Sequence, residues 1–410
     1  MCYKKRVLVI FSLLILTLNV SGCSFNKDVP KEKQLNIYVD IKDKESLNIL
    51  KIITEEYKKS NPKVKLSINN AIGGKIEEEI SSRGEQDVII TSRNNMIKLS
   101  RKGLLSDLGS YYDDNKINDK CYSVVNAYGR FGDKYYGIAL MPYTMEILYN
   151  KNALNKLGLN SPDTVNDLKE VLKKINSMSV RIPVTLTENL DINGGLYSMI
   201  VNNKVSMTKL ESMFDSGAVA YKSLQEMQQS FNTMIELVSG GNINKNTFEV
   251  GNESSLEKFE KGNIPLIISS SYYSNYFKDN NIMVAANSSN QSSIKMKVPV
   301  ICNAIMCIPI NSKNGEETES FIKFLVDEKI NKKLVEQGFI TSNKKTNSSI
   351  VGGTKASIVK HLEDSTEDSI IYVYNIPDKL KNSISFKIDQ ILSGKHTGKE
   401  WDEVVDDAFK

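Results

Sequence analysis

The chain has 410 residues, with 53 Lys+Arg against 49 Asp+Glu and 40% apolar residues. Three of the cations, Lys4, Lys5 and Arg6, fall in the first 22 residues, which hold no acid, so the remainder sets 50 bases against 49 acids. That near-neutrality leaves no basis for a nucleic-acid surface, and the length exceeds what a single core holds, so two lobes are expected.

In chain order, the three cations precede an apolar stretch over residues 7–18. It is too short to span a bilayer and has the length of a signal-peptide core. It ends in "VSGC", residues 20–23, which resembles the lipobox of bacterial lipoproteins. Residues 1–22 are therefore expected to be cut away and Cys23 to carry a lipid, with an ordinary secretory signal as the alternative. Two acyl chains on Cys23 give stable anchoring where one would not. Residues 24–34, "SFNKDVPKEKQ", are polar and read as a tether, so the whole of 23–34 is expected to hold the protein off an outward-facing membrane surface.

Beyond the tether, "LNIYVD" is a strand, and the following segment spaces Leu47, Leu50, Ile53 and Tyr57 along one helical face. Asp43 is placed to cap that helix and Pro62 follows its end. "VKLSIN" alternates as a strand, "GGKIEEEISSRG" reads as a helix, "QDVIITS" as a buried strand and "NMIKLSRKGLLSDL" as a helix. This alternation predicts an α/β fold of two lobes, each a mixed, mostly parallel sheet flanked by helices and joined by a multi-segment hinge.

In residues 135–159, "YYGIALMPYTMEILYNKNALNKLGL", one apolar run stops at Pro142 and another starts at Ile147. Tyr143, Thr144, Met145 and Glu146 between them suit a hairpin turn, a catalytic loop or a crossing between lobes. Residues 162–240 are mostly helical, opening with cap-like Ser161, Asp163 and Thr164 before Val165, Leu168, Val171, Leu172 and Ile175. Residues 286–297 are polar and read as a connection between lobes; "VPVICNAIMCIPI" returns to strand, and residues 316–337 form an amphipathic helix. Cys302 and Cys307 lie five apart, on opposite faces of a strand, and with Cys121 are expected as free buried thiols.

The search for chemistry returns little. His361 and His396 each stand among charged residues and read as surface side chains, not as zinc ligands or a Ser-His-Asp relay. The glycine pair Gly73 and Gly74 lacks the spacing of a phosphate loop, and no pair of carboxylates is singled out as a glycosidase would need. No enzyme activity, no metal and no cofactor is expected.

Four stretches in order carry a resemblance: residues 86–112, ending in "RKGLLSDLGSYY"; 135–168; 256–277, "LEKFEKGNIPLIISSSYYSNYF"; and 307–345, "CIPINSKN…TSNKK". Together they are similar to family 1 of the bacterial extracellular solute-binding proteins, the maltose-binding-protein-like group, and residues 383–409 also fit. The resemblance implies a hinged receptor that closes on a small solute between its lobes and delivers it to the permease of an ABC transporter. The solute would be a carbohydrate, or else a non-sugar solute; the other reading is a surface lipoprotein that senses or adheres. A monomer is expected, without nucleic acid. The lobes would comprise residues 35–143 with 292–341, and 144–291 with 342–410.

Two positions depart from the family pattern. Val165 stands where it has a tryptophan, and Tyr272, preceded by Ser270, stands near its second tryptophan. The sole tryptophan, Trp401, sits in the last amphipathic stretch and reads as packing. By the resemblance, Glu146, four residues after Pro142, would contact sugar hydroxyls or else bridge the hinge. Tyr143 would offer a ring and a hydroxyl, or pack there. Thr91, Ser92 and Asn94 would face the cleft or cap a helix, Tyr272 and Tyr273 would stack on the ligand, and Asp40 would reach the cleft or cap the next helix. The crossing reading of residues 142–145 follows as well.

Overall fold

A computed structural model describes residues 33–410 except 71–75, 83, 188–189 and 286–295. The expected signal, the lipidation of Cys23 and most of the tether lie outside the described residues, as does the polar connection up to residue 295.

The first lobe begins with strand β1 (Lys33–Asp40), helix α1 (Lys44–Ser60), β2 (Val64–Asn70), β3 (Val88–Thr91) and α2 (Arg93–Arg101). Helix α1 starts where the sequence says it should. The Asp43 side chain accepts from the Ser46 amide at 2.8 Å, Ile49, Leu50, Ile53 and Tyr57 are buried, and the helix stops at Asn61, before Pro62. Helix α2 is capped by Ser92, whose hydroxyl accepts from the Asn95 amide.

The chain then runs through β4 (Ile138–Ala139) into β5 (Tyr143–Asn150), followed by α3 (Val165–Ser177), β6 (Ile182–Thr185), α4 (Ile192–Val201), α5 (Met207–Ser212), α6 (Gln225–Ser239), β7 (Phe248–Val250), α7 (Glu253–Glu260), β8 (Leu266–Ser270) and β9 (Ile282–Val284). Of the three cap candidates before α3, Thr164 closes a capping box with Asp167. Strands β10 (Val300–Ile301) and β11 (Ile305–Cys307) return across the molecule, and α8 (Gly353–Glu363), α9 (Asp378–Leu392) and α10 (Glu400–Ala408) complete the second lobe.

Among the described residues two large sheets form, in the orders β2-β1-β3-β11-β4 and β9-β5-β8-β6-β7, with β10 also paired to β5, beside a small hairpin that pairs Arg130 and Phe131 with Tyr135 and Lys134. Parallel ladders are confined to β2-β1-β3 and β8-β6-β7; β11, β4, β5, β9 and β10 pair antiparallel. The sheets are thus less parallel than the strand–helix alternation predicts. Of the antiparallel strands, β5 and β11 arrive from the other lobe without a covering crossover helix, so nothing forces them into parallel register. The second sheet is covered on both sides: Leu148 and Ile267 pack with Leu256, Phe259 and Phe277, while Leu266 and Ile268 face the main cluster.

Two crossings lie side by side between the sheets. Residues 140–142 join β4 to β5, and residues 302–304 join β10 to β11. The Leu140 amide donates to the Ala304 carbonyl at 3.0 Å, and Thr144 and Tyr143 pair with Val300 and Ile301. The crossing is therefore shorter than residues 142–145, because Tyr143 through Glu146 already lie in β5. Residues 300–301 pair with the second sheet and residues 305–307 with the first. Cys121, Cys302 and Cys307 are free and buried.

Candidate functional site

A cavity of about 1120 Å³ opens between the lobes. Its walls come from the carboxyl ends of parallel strands: Leu186 and Thr187 follow β6, Gly251 and Asn252 follow β7, and Tyr272 and Tyr273 follow β8. Lys44 and Glu45, at the start of the helix after β1, face them with Phe339. Side chains beyond strand ends are free of the ladder, which is why open α/β sheets place their ligands there.

Each wall is held by a cap or a hydrogen bond. Asp191 caps α4, accepting from the amides of Asn193 at 2.9 Å and Gly194 at 3.2 Å, and it accepts from Ser385 Oγ at 3.0 Å. Asn252 caps α7 through the Ser255 amide at 3.1 Å. Ser270 caps the 3-10 segment Ser271–Tyr276 that carries the tyrosines. The lobes touch at the cavity's edge, where Tyr273 Oη donates to Glu45 Oε1 at 2.5 Å and Asn48 Nδ2 donates to Tyr272 Oη at 3.1 Å.

The surfaces offered are of two kinds. Glu45, Asp191, Glu253, Asn193, Asn252 and Asn275 supply carboxylates and amides, and Tyr272, Tyr273, Tyr276 and Phe339 supply rings. Rings of Tyr272 and Tyr273 meet edge to face at 5.1 Å, and Tyr272 lies 5.7 Å from Phe339. Burial raises the hydroxyl pKa of both tyrosines, with Glu45 adding to the shift at Tyr273, so both remain protonated donors at neutral pH.

Tyr272 and Tyr273 line the cavity. Tyr143 does not; it is buried behind Tyr272, edge to face at 5.7 Å. Glu146 stands apart: its side chain is 1% exposed and its Oε2 lies 2.9 Å from His361 Nδ1. His361 is therefore a buried partner and not a surface residue, while His396 is exposed. Thr91, Ser92, Asn94 and Asp40 gather at the β3–α2 turn outside the cavity lining. Thr91 is fully buried, Ser92 caps α2, and Asp40 accepts from Asn95 Nδ2 at 3.0 Å. With its amide oriented to satisfy both ends, Asn94 donates to the Tyr374 carbonyl at 3.1 Å and accepts from Lys381 Nζ at 2.7 Å.

Sequence reasoning missed Lys44, Glu45, Asp191, Asn193, Asn252 and Glu253. Their signal was available, since each sits in a cap or first turn just after a strand. It also missed Arg93, which is fully buried. The Arg93 guanidinium donates to the carbonyls of Ala127, Tyr128 and Arg130 at 2.8, 2.7 and 3.0 Å, and pairs with Glu211 of α5 across the lobes. Trp401 is 1% exposed and its indole N–H donates to the Tyr221 carbonyl at 2.6 Å, in the core of the second lobe.

A sequence profile described as "Bacterial extracellular solute-binding protein" matches residues 44–332. No curated protein sequence matches the chain. Among solved structures, the GacH receptor of Streptomyces glaucescens, determined unliganded and with acarbose, is 17% identical with a TM-score of 0.63, covering 92% of this chain and 97% of its own. A cyclo/maltodextrin-binding protein complexed with maltotetraose is 15% identical with a TM-score of 0.63, over 92% and 95%. An ABC transporter solute-binding protein of Thermotoga lettingae, bound with α-D-tagatose, is 15% identical with a TM-score of 0.64, over 92% and 99%. At such identities the likeness is one of fold.

Proposed function

The chain belongs to the bacterial extracellular solute-binding protein family, whose members bind and do not catalyse, and from that premise we propose that it captures a carbohydrate in the interlobe cavity and delivers it to an ABC permease. The observation that carries this reading is the pairing of surfaces in one cavity: carboxylates and amides that meet hydroxyl donors, beside the rings of Tyr272 and Tyr273. A sugar presents both features, a rim of hydroxyls and flat C–H faces. The solved sugar complexes of like fold support the same class. Closure follows from a ligand that touches both lobes, because its extra affinity for the closed arrangement shifts the population toward it. Cys23 carries the lipid that tethers a monomeric receptor to the membrane, and the lobes divide at residues 140–142, 302–304 and about 342.

The test is a thermal-shift panel of mono- and oligosaccharides on the full chain. A bound saccharide at a hundredfold excess over its Kd adds about 2.7 kcal/mol, which raises the midpoint by about 3 °C. A flat response to every saccharide, with a shift from another class of solute, refutes the carbohydrate reading.

A further inference from the structure

Away from the cavity, the lobes meet through ion pairs that share one sense. Arg93, Lys98 and Arg101 of α2, with Arg130 of the small hairpin, stand on the first lobe. Their partners Glu211, Asp378, Asp215 and Glu367 stand on the second, and Lys98 Nζ lies 3.2 Å from Asp378 Oδ2. Two hydrogen bonds accompany them. Glu211 Oε1 accepts from the Gly132 amide at 3.1 Å, and Asn94 accepts from Lys381 Nζ at 2.7 Å.

Strands β1 and β3 are parallel, so α2 leaves the first sheet at the same edge as Lys44 and Glu45. That edge faces the second lobe, and contacts made there draw the lobes together. None of the paired residues lines the cavity, so a solute held in it leaves them in place. The cavity margin is of another kind, since Tyr273–Glu45 and Asn48–Tyr272 engage lining side chains that a solute also meets.

Arg93 shows what parting the lobes would expose. Its guanidinium is fully buried, and the carbonyls of Ala127, Tyr128 and Arg130 go with it on the first lobe. Glu211 and the Asn375 Oδ1, which accepts from Arg93 Nε at 3.2 Å, go with the second. The other three pairs are partly exposed, and such a pair contributes little alone. Their shared sense is what adds, because a basic face on one lobe meets an acidic face on the other. That attraction reaches about 8 Å at physiological salt and about 3 Å at 1 M.

We propose that these four pairs form an ionic latch that holds the lobes closed before any solute arrives, so that affinity falls with rising salt even for an uncharged solute. The latch does not depend on the solute being a carbohydrate. Apparent affinity scales with the fraction of chains in the arrangement that holds the solute, and the latch sets that fraction.

The experiment is small-angle X-ray scattering of the solute-free full chain at about 20 mM and about 1 M sodium chloride. The closed profile is expected at low salt, and a larger radius of gyration at high salt. Arg101→Glu/Arg130→Glu is expected to give the larger radius already at low salt. Adding Asp215→Arg/Glu367→Arg, which restores both pairs with their signs exchanged, should return the closed profile; circular dichroism checks that each variant is folded. Calorimetric titration with a neutral saccharide that binds the wild type should follow the same order, with about a tenfold loss in the reversed variant and recovery to within about threefold in the exchanged one. A solute-free chain that is open at low salt overturns the latch. So does a profile that neither salt nor charge reversal changes, or an opening that the exchanged variant fails to reverse, since a structural defect is not repaired by swapping signs. If no saccharide binds, the carbohydrate reading falls and scattering alone decides the latch.

Discussion

Buried between β5 and α8, the Glu146–His361 pair ties stability to pH. Burial pulls the His361 pKa down, but the Glu146 carboxylate 2.9 Å away outweighs it and the net shift is upward. A raised folded-state pKa means stabilisation that is complete below the unfolded value, about 6.5, and lost as pH rises through the folded one. Asp43 acts in the same direction: raised from 3.8 to about 7, its contribution fades as pH climbs through that interval. The melting temperature is therefore expected to fall from pH 5 to pH 8. His361→Gln should flatten the upper part of the curve and Asp43→Asn the lower part. At pH 6 His361→Gln should also cost about 3–5 kcal/mol, since Glu146 is left buried without its partner. Calorimetric melting across that range decides it, and a wild-type curve that rises with pH would contradict the account. Glu146 was legible in the sequence as a residue of note, but its partner lies 215 positions away. Lys360, Glu363 and Asp364 around His361 suggested a surface, whereas the helix turns it inward with Ile358 and Leu362.

At the scale of elements, the approach to the first crossing depends on two glycines. Gly129 ends a short helix (Ser123–Tyr128), and its carbonyl accepts from the amides of Tyr136 at 2.8 Å and Gly137 at 3.1 Å. A Cβ on Gly129 would lie 1.9 Å from the Gly137 carbonyl oxygen. Backbone cannot yield there as a side-chain tip can, so Gly129→Ala is expected to destabilise by about 3 kcal/mol, the upper end for overpacking. Urea unfolding measures it, and a loss below about 1 kcal/mol would show that the segment gives way. The helices themselves were readable. Asp43 and Thr164 cap as their positions promise, and the apolar spacing of α1 becomes its buried face. The strand order was not, because β11 enters the first sheet from residue 305 to lie between β3 and β4. Local periodicity says that a segment is a strand and is silent on its neighbour.

At the scale of the molecule, two sheets joined by adjacent crossings set their strand ends toward a shared cavity, and polar bridges already span its edge and the far side. Tyr273–Glu45 and Asn48–Tyr272 hold one margin, and Arg93–Glu211 lies away from the lining. The two-lobed plan and the position of Tyr272 followed from motif order; the acidic wall did not, because it assembles from turns as far apart in the chain as those of Glu45 and Glu253. The sole tryptophan lies in the core of the second lobe, so its emission is a poor reporter of the cavity, and heat of binding is the better signal. Calorimetric titration of the best-binding saccharide into the wild type and Tyr272→Ala is the most direct test of carbohydrate capture between the lobes. The account predicts one site per chain in the wild type and at least a tenfold loss in affinity, about 1.4 kcal/mol, on removing the ring. Unchanged affinity in a folded Tyr272→Ala, or no saccharide that binds the wild type, would contradict it.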